Sequence, residues 1–311
     1  MKNVRTAAVR EAALGSAPIP YKPDASLVQI AADYVALTKP RLNALVVATS
    51  AAGYYLGAPG APDLPAMAYA VIGTAMVAGG AAVLNQVYER DTDARMSRTR
   101  MRPLPDGRLA WPEAATFGLL LAAGGLGLLA SKANLLASVL ALATIVFYVV
   151  IYTPMKRRSP VATLVGAVPG ALPPLIGWVA SRGQVTAGGV ALFAIVFLWQ
   201  IPHFMAIAWL CRDDYGKAGF PMLPVIEPDG RRAGRQAAIY SLLLAPVSLI
   251  PTMVGVSGAV YAIVAAALGI ALCRLAFRFA ATRDDRAARW LFFGSIVYLP
   301  LIWIAMIANK L

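Results

Sequence analysis

Apolar residues in this chain come in nine long stretches, separated by short segments that hold nearly all of the charge. A transmembrane helix needs about 20 consecutive, mostly apolar residues, and each stretch is close to that length. Helices are predicted rather than strands, because lipid offers the backbone no hydrogen-bond partners and no strand-like alternation occurs. The predicted spans cover residues 42–60, 65–88, 112–131, 135–153, 161–181, 187–211, 236–256, 258–278 and 290–309.

The distribution of charged residues predicts how these spans are oriented across the membrane. Charged residues make up 14% of the chain, against about 25% in a typical soluble domain. The net charge of +13 does not indicate nucleic acid as a partner, because the basic residues lie between apolar stretches. Of the 28 lysines and arginines, 25 lie on one side of the predicted spans, and the exceptions are Lys132, Arg182 and Lys310. The positive-inside rule then places the amino terminus in the cytoplasm and the carboxyl terminus outside.

Together these features predict an all-α fold, a polytopic membrane bundle of nine transmembrane helices around a cavity that opens to the cytoplasmic side. Residues 1–35 lack an apolar stretch and hold Pro18, Pro20 and Pro23 among scattered charges. We predict that residues 1–35 form a flexible cytoplasmic arm and that residues 36–311 form the transmembrane domain.

Three residues with side-chain oxygens recur every four positions at the end of the second predicted span: Asn85, Glu89 and Asp93. If the helix continues past residue 88, they share one face, with about 5–6 Å between successive Cβ atoms. Such ligands suit Mg²⁺, which takes one or two carboxylates and completes its shell with water and phosphate oxygens. Arg98 and Arg102 follow and could hold the same phosphates. The alternative is a solvated helix end, but Asn85 lies a full turn inside an apolar helix, where an amide needs a partner.

A second polar group lies in and after the sixth predicted span. Pro202 is expected to kink the helix and to free backbone groups next to Gln200 and His203. A histidine in a membrane helix is a candidate functional residue, although a structural hydrogen bond across the bundle explains it equally well. Asp213 and Asp214 follow, either as a second source of metal ligands or as ordinary loop charges.

Two basic motifs lie at other helix ends. Residues 152–157, with Lys156 and Arg157, end the fourth predicted span, and residues 38–41, with Lys39, open the first. By themselves, both are explained as cationic anchors at the cytoplasmic face of the membrane.

Together these segments resemble the UbiA superfamily of intramembrane prenyltransferases, and within it the branch that acts on heme. The resemblance covers about residues 36–308. It rests on four segments, of which the first is Leu37-Thr38-Lys39-Pro40. The second is Asn85-x-x-x-Glu89-x-x-x-Asp93 with Met96-x-Arg98-Thr99-x-x-Arg102-Pro103-Leu104, and the third is Tyr152-Thr153-x-x-Lys156-Arg157 with Gly166 and Gly170-x-x-Pro173-Pro174-x-x-Gly177. The fourth is Trp199-Gln200-x-Pro202-His203-Phe204 with Asp214-Tyr215 and Met222-Leu223-Pro224. The Arg-Thr-x-x-Arg-Pro and Gln-x-Pro-His-Phe segments are those of the heme branch.

The resemblance implies a reaction and a set of site residues. The implied reaction transfers a farnesyl group from farnesyl diphosphate to a vinyl group of heme B, with Mg²⁺ as cofactor. The resemblance also implies catalytic roles for Asn85, Glu89, Asp93 and Lys156, and metal binding by Asn85, Glu89, Asp93 and Asp214. It implies diphosphate binding by Arg98, Arg102, Lys156, Arg157, Tyr152 and Lys39. Contact with heme is implied for His203 and Gln200. His203 could instead contact the diphosphate or the developing cation.

One departure from the wider family concerns the metal. Members that act on quinone precursors carry two aspartates four residues apart in the second motif, whereas Asp214 is followed by Ala218. The number of metal ions therefore stays open. A heme A synthase or a second copy of the chain is a possible protein partner, and no nucleic acid is expected.

Two other functions compete with heme prenylation. A UbiA-type enzyme acting on an aromatic quinone precursor is disfavoured by the Gln-Ile-Pro-His-Phe segment. An ion-coupled transporter should place its acidic residues near mid-membrane, whereas these acids lie at one face of the predicted bundle. The expected location is the bacterial inner membrane, or alternatively the mitochondrial inner membrane.

Overall fold

The computed structural model describes residues 26–311, and helices make up nearly all of the regular structure in that part of the chain. In chain order they are α1 Leu27–Leu37, α2 Pro40–Gly57, α3 Leu64–Asp93, α4 Trp111–Lys132, α5 Leu135–Met155, α6 Ala162–Arg182, α7 Ala187–Leu210, α8 Arg212–Lys217, α9 Leu223–Ile226, α10 Arg231–Val247, α11 Ile250–Met253, α12 Ala259–Thr282 and α13 Asp285–Ala308. The described residues hold no strand beyond one isolated bridge between Ser257 and Lys310. The prediction of an all-α membrane bundle is confirmed.

The number of spans differs slightly from the prediction. Eight helices of the described chain, counting α10 and α11 together as Arg231–Met253, are long and apolar enough to cross a membrane. The predicted span that does not meet this criterion is the first, residues 42–60, which forms α2; Arg41 and Asn43 near its start and Thr49 and Ser50 in its middle make it less apolar. It packs chiefly against α6 and α3. By length and composition, the described chain therefore has one membrane-crossing helix fewer than the nine that were predicted.

A helix also forms where the sequence predicted the last part of a flexible arm. α1 begins after Ser26, whose hydroxyl accepts a hydrogen bond from the backbone N–H of Gln29, and it ends at Leu37. The rest of the predicted arm lies outside the described residues, together with Lys2, Arg5, Arg10 and Lys22.

Short polar residues fix the starts of three long helices. The side chains of Asp63, Asn134 and Asp284 accept hydrogen bonds from the backbone N–H groups of Ala66, Ala137 and Ala287, at 3.0, 2.9 and 2.7 Å. Each satisfies one of the first N–H groups of α3, α5 or α13, which have no partner within the helix.

The centre of the bundle is formed by α6 and α7. α6 packs against α2, α5 and α7, and α7 packs against α6, α10 and α13. The contact between α2 and α6 is a close backbone crossing, because a Cβ atom on Gly177 would lie 1.9 Å from the carbonyl oxygen of Ser50. A Cβ atom on Gly53 would likewise lie 2.0 Å from the carbonyl oxygen of Pro174. Small residues at such crossings let membrane helices approach closely, where dispersion contacts rather than water exclusion hold them together.

We expect Gly177→Ala to destabilise the bundle, because the added methyl group meets backbone that no side-chain rotation can clear. Overpacking of this kind costs roughly 1–3 kcal/mol. Gly127→Ala in α4 is the matched control, since open space surrounds a Cβ atom there and alanine favours the helix. Thermal unfolding of both purified variants in one detergent measures the difference. Equal unfolding temperatures for Gly177→Ala and the unsubstituted protein would contradict the close crossing.

Candidate active site

The α3 helix continues five residues past the end predicted from hydropathy, so the four-residue spacing of its polar side chains is preserved. Asn85, Glu89 and Asp93 lie on one face and are 2%, 3% and 1% exposed. Asp91 lies on the other side, half exposed beside Arg90. The predicted arrangement of these residues on one helix face is confirmed, and burial excludes a merely solvated helix end.

The side chain of Asn85 is held from three directions. Its Nδ2 donates to Thr153 Oγ1 at 3.0 Å, while its Oδ1 accepts from Lys39 Nζ at 3.0 Å and from the Tyr148 hydroxyl at 3.3 Å. Thr153 is fully buried and donates to the carbonyl oxygen of Tyr148 at 2.7 Å. The amide is thereby fixed with its oxygen among cationic and hydroxyl groups.

Each of the two buried carboxylates is paired with a cation. Lys156 Nζ lies 3.2 Å from Glu89 Oε1 and donates to Oε2 at 3.3 Å, and Arg102 Nη1 lies 2.7 Å from Asp93 Oδ2. The Lys156–Oε1 contact lacks hydrogen-bond geometry, so Glu89 Oε1 has no hydrogen-bond donor among residues 26–311. A buried carboxylate oxygen without a donor is costly, and it is available to a metal ion.

Lys39 reaches this group from a strained position. Its backbone is left-handed, with φ of 52° and ψ of 60°, at the corner between α1 and α2. Such a conformation is rare for a residue with a side chain and persists only where the surroundings enforce it. Gln86 Nε2 supports the corner by donating to the carbonyl oxygen of Leu37 at 2.6 Å. Burial, with a smaller effect from Arg102, lowers the pKa of Lys39 to about 7, and an anion beside it would favour the charged form.

These side chains surround a cavity of 360 Å³. Tyr148 and Tyr152 form part of its wall, with ring centroids 5.6 Å apart and planes nearly parallel. They lie in a π-helical stretch, Val146–Tyr152, near the end of α5, and such stretches are frequent at functional sites. Among the predicted site residues, the lining includes Lys39, Asn85, Asp93, Arg98, Arg102, Tyr152, Lys156 and His203.

His203 enters the cavity from α7, which remains helical through Pro202. Its Nδ1 lies 2.8 Å from the Ser295 hydroxyl, and that hydroxyl donates to the carbonyl oxygen of Phe292. The hydroxyl oxygen therefore accepts from Nδ1–H, which leaves Nε2 of the neutral imidazole as an acceptor. The ring is stacked between Trp199 and Phe292, at centroid distances of 5.0 and 5.2 Å.

Glu89 does not itself line the cavity but pairs with Lys156, which does, and three further predicted site residues are not brought to the cavity. Gln200 is buried, and its Nε2 donates to the carbonyl oxygens of Ala167 and Val196, both at 3.1 Å, so its amide links α7 to α6. Arg157 is exposed at the end of α5. Asp214 accepts from the Ser97 hydroxyl at 2.8 Å to each carboxylate oxygen. Roles for these residues in heme, diphosphate and metal binding have no support from their positions.

The Ser97–Asp214 contact instead joins the two polar loops above the cavity. Met96 is buried in a small apolar cluster with Ala218, Phe220 and Met222. Lys156 Nζ lies 4.5 Å from the centroid of the Phe220 ring. No group of three or more His, Cys, Asp or Glu side chains in residues 26–311 could hold a metal ion by itself, so a metal here would need Asn85 or a ligand from the substrate.

The sequence analysis gave no role to several residues that line the cavity or hold its lining residues in place. Tyr148 and Thr153 hold Asn85, yet Tyr148 lies in an apolar stretch that resembles any other span. Its spacing of four residues from Tyr152 was the available signal. Phe204 and Ile207 line the cavity beside His203 and give it an apolar side. The cavity thus combines oxygen ligands and cations at one end with an apolar, aromatic wall.

The chain is similar to known proteins over most of its length. The model of the UbiA prenyltransferase family matches residues 46–297. The protoheme IX farnesyltransferase of Solibacter usitatus is 43% identical, over 89% of this chain and 98% of its own. The protein of the same name from Opitutus terrae is 46% identical, over 90% of this chain and 95% of its own. The structure of a UbiA homolog from Archaeoglobus fulgidus bound to GPP and Mg²⁺ is 20% identical, with a TM-score of 0.63 over 89% of this chain and 99% of that one.

We expect Glu89→Gln to weaken Mn²⁺ binding in the presence of diphosphate by about tenfold or more, because a charged oxygen ligand is lost. Asp91→Asn, two residues away on the exposed face, is the matched control and should bind Mn²⁺ normally. Electron paramagnetic resonance of free Mn²⁺ measures the affinity in purified protein. Unchanged binding by Glu89→Gln, or equal weakening by both variants, would remove Glu89 from the metal site.

Proposed function

The chain belongs to the UbiA prenyltransferase family, and on that premise we propose that it transfers a farnesyl group from farnesyl diphosphate to heme B, giving heme O. The relatives at 43% and 46% identity carry this activity in their names and are matched over nearly their whole length. The observation that carries the proposal is a cavity lined by Asn85, Asp93 and a group of cations beside apolar residues and His203, with Glu89 paired to the lining residue Lys156.

The cations of the cavity would bind the diphosphate. Lys39, Lys156 and Arg102 now bind Asn85, Glu89 and Asp93, and each can turn a donor to a phosphate oxygen. Arg98 lies at the mouth over the Tyr215 ring, 5.9 Å from its centroid, where it can reach an entering anion. Several donors on one diphosphate form charge-assisted hydrogen bonds, which are the stronger kind.

The residues also fit Mg²⁺. Asn85 Oδ1, Glu89 Oε1 and a carboxylate oxygen of Asp93 are hard oxygen ligands, and Glu89 Oε1 is the buried atom that lacks a donor in the described chain. When bound, Mg²⁺ would neutralise charge on the diphosphate as it leaves. Asp214 is left out of this set because its carboxylate contacts Ser97 and no hydrogen bond or ion pair among the described residues joins it to Asn85, Glu89 or Asp93. One metal position is therefore supported by the side chains.

The reaction breaks the bond between farnesyl C1 and the bridging oxygen, and diphosphate leaves with the electron pair. The terminal vinyl carbon forms a bond to C1, water adds to the inner vinyl carbon, and one proton is released. The Lys and Arg side chains hold the leaving group, while the Tyr148, Tyr152 and Phe204 rings on the cavity wall keep bulk water from the allylic cation. The apolar farnesyl tail, at about 0.8 kcal/mol per buried CH₂, would remain in the hydrocarbon of the bundle or bilayer.

His203 is proposed to contact heme. Its Nδ1 is occupied by Ser295, so Nε2 is the acceptor that a heme iron requires. Trp199 and Phe292 fix the plane of the imidazole. This arrangement favours iron over a propionate, because a propionate would need a donor at Nε2.

The competing functions fit these positions less well. The curated relatives described above act on heme by name, not on a quinone precursor. The acids of the first motif end α3 at the face that holds most basic residues, whereas a transporter path would cross the membrane. We propose a bacterial inner-membrane location, with the amino terminus in the cytoplasm. A heme A synthase or a second copy stays a possible partner.

The proposal predicts a product. Membranes that contain the protein, given heme B, farnesyl diphosphate and Mg²⁺, should form hydroxyethylfarnesyl heme, detected by mass spectrometry. Asp93→Asn should lower the rate by about a hundredfold or more, since a charged ligand that holds Mg²⁺ on the leaving diphosphate is lost. Asp91→Asn should retain activity. Full activity of Asp93→Asn would refute the assigned site, and a quinone-type product in place of the heme product would refute the assigned substrate.

Two variants should separate the two substrates. Lys156→Gln should raise the KM for farnesyl diphosphate by about tenfold, because a charge-assisted hydrogen bond is worth at least about 1.4 kcal/mol, and should leave the heme spectrum unchanged. His203→Ala should change or abolish the heme absorption spectrum and retain farnesyl diphosphate binding. Each variant is the control for the other. An unchanged heme spectrum in His203→Ala, with weaker farnesyl diphosphate binding, would move His203 into the diphosphate site.

A further inference from the structure

The α1 helix carries apolar residues on an exposed side as well as on its buried side, where Leu37 is fully buried and Ile30 and Tyr34 pack against the same apolar cluster. Its buried face contains Asp33, which is 3% exposed, whereas Leu27, Val28 and Val35 are 85%, 80% and 58% exposed. These exposed residues, with Ala31, form one stripe along the helix, because each residue advances about 100°. We call Leu27, Val28, Ala31 and Val35 the α1 stripe. A stripe of this kind is stable only against an apolar partner.

The buried face of α1 is fixed firmly to the rest of the chain. Asp33 Oδ2 lies 2.9 Å from Arg108 Nε, and Asp33 Oδ1 accepts from Gln29 Nε2 at 3.2 Å. The Tyr34 ring packs edge-on against Phe117 of α4, with centroids 5.0 Å apart. The orientation of the stripe is therefore set by contacts on the opposite face, and the stripe itself is directed away from the bundle.

The position of α1 relative to α4 identifies what lies against the stripe. Phe117 follows Trp111, the first residue of α4, by six residues, which is about 9 Å along a helix. Trp111 is half exposed with Arg90 over its ring, as expected at a membrane interface. A groove of 840 Å³ runs between α1 and α4, and Val35 and Leu120 both line it. Leu120 is 69% exposed on a membrane-spanning helix, so the groove continues the lipid-facing surface.

We infer that α1 lies in the cytoplasmic interface of the bilayer, with its stripe among the acyl chains and a phospholipid chain in the groove between α1 and α4. An interfacial helix buries its apolar face about 5–10 Å below the headgroups, which is the depth at which Tyr34 meets Phe117. The basic residues Lys2, Arg5, Arg10 and Lys22 precede α1 in the sequence, and exposed Arg41 follows it. Cations on either side of the helix match the anionic headgroups of that leaflet.

Attachment of α1 to the membrane has a consequence for the cavity. Leu37 ends α1 and is held by Gln86, and Lys39 follows two residues later in its left-handed conformation. A helix fixed in the interface would help to hold Lys39 Nζ on Asn85. This consequence rests on the proposed function, whereas the position of α1 does not.

The position is tested with single cysteines in full-length protein in which Cys211 and Cys273 are replaced by alanine. Val28→Cys, Val35→Cys and, on another face of the helix, Ala36→Cys are labelled with an environment-sensitive fluorophore in phospholipid vesicles. Lipids with a nitroxide on the acyl chain should quench labels at Val28 and Val35 more than the label at Ala36, and aqueous iodide should do the reverse. Quenching of the stripe by iodide would overturn the inference. Protection of the stripe from both quenchers would also overturn it, because protein would then cover the helix.

The consequence for Lys39 is tested separately. Val28→Glu combined with Val35→Glu should raise the KM for farnesyl diphosphate several-fold and leave the heme spectrum unchanged. Unchanged kinetics together with lipid quenching would place α1 in the membrane but reject its effect on Lys39. Because the quenching experiment needs no turnover, failure of the proposed function would leave its result unaffected.

Discussion

Charge compensation inside a helical bundle is the constraint on which the rest of this structure depends. Glu89 and Asp93 are carboxylates with almost no exposure to solvent, and a buried charge without a partner is strongly destabilising. The chain meets this constraint with cations from distant segments: Lys156 from the end of α5 and Arg102 from the loop after α3. The same cations are suited to an anionic ligand, so the interactions that stabilise the empty cavity also prepare it to bind diphosphate. Glu89 Oε1 has Lys156 as its ion-pair partner but accepts no hydrogen bond from the described residues, so it is the oxygen that the proposed metal ion would bind.

The cavity contains a polar group of residues and an aromatic group of residues, which have different roles in the proposed reaction. At one end Lys39, Asn85 and Tyr148 form a polar network around one amide oxygen. At the other end His203 is stacked between Trp199 and Phe292, in surroundings that favour a flat, apolar ring system. The Ser97 hydroxyl donates to Asp214 and thereby joins the segment after α3 to α8. In the proposed orientation, a charged end at the cytoplasmic face would keep the diphosphate near water and the prenyl chain within the apolar bundle.

Local patterns predicted the helices and the main site, whereas contacts between distant segments could not be predicted. The spacing of Asn85, Glu89 and Asp93 is a helical property that the sequence displays directly. The π-helical turn that directs Tyr148 toward Asn85 depends on packing around α5 and has no clear sequence signal. The structural role of Gln200 depends on carbonyl groups of α6, and Asp33 is paired with Arg108, which is 75 residues away. For the same reason α1 was not foreseen: a short segment with a buried aspartate and exposed valines looks like an unstructured arm until its partner is known.

The central claim is that the polar face of α3 holds a metal ion on the diphosphate. The most direct measurement is anomalous scattering from crystals of the protein with Mn²⁺ and an unreactive thio analogue of farnesyl diphosphate. We expect one Mn²⁺ peak bonded to oxygens of Asn85, Glu89 or Asp93 and to the diphosphate, with Lys156 and Arg102 turned from the carboxylates to phosphate oxygens. A metal peak at Asp214, or a diphosphate bound away from α3 with both ion pairs intact, would contradict this account.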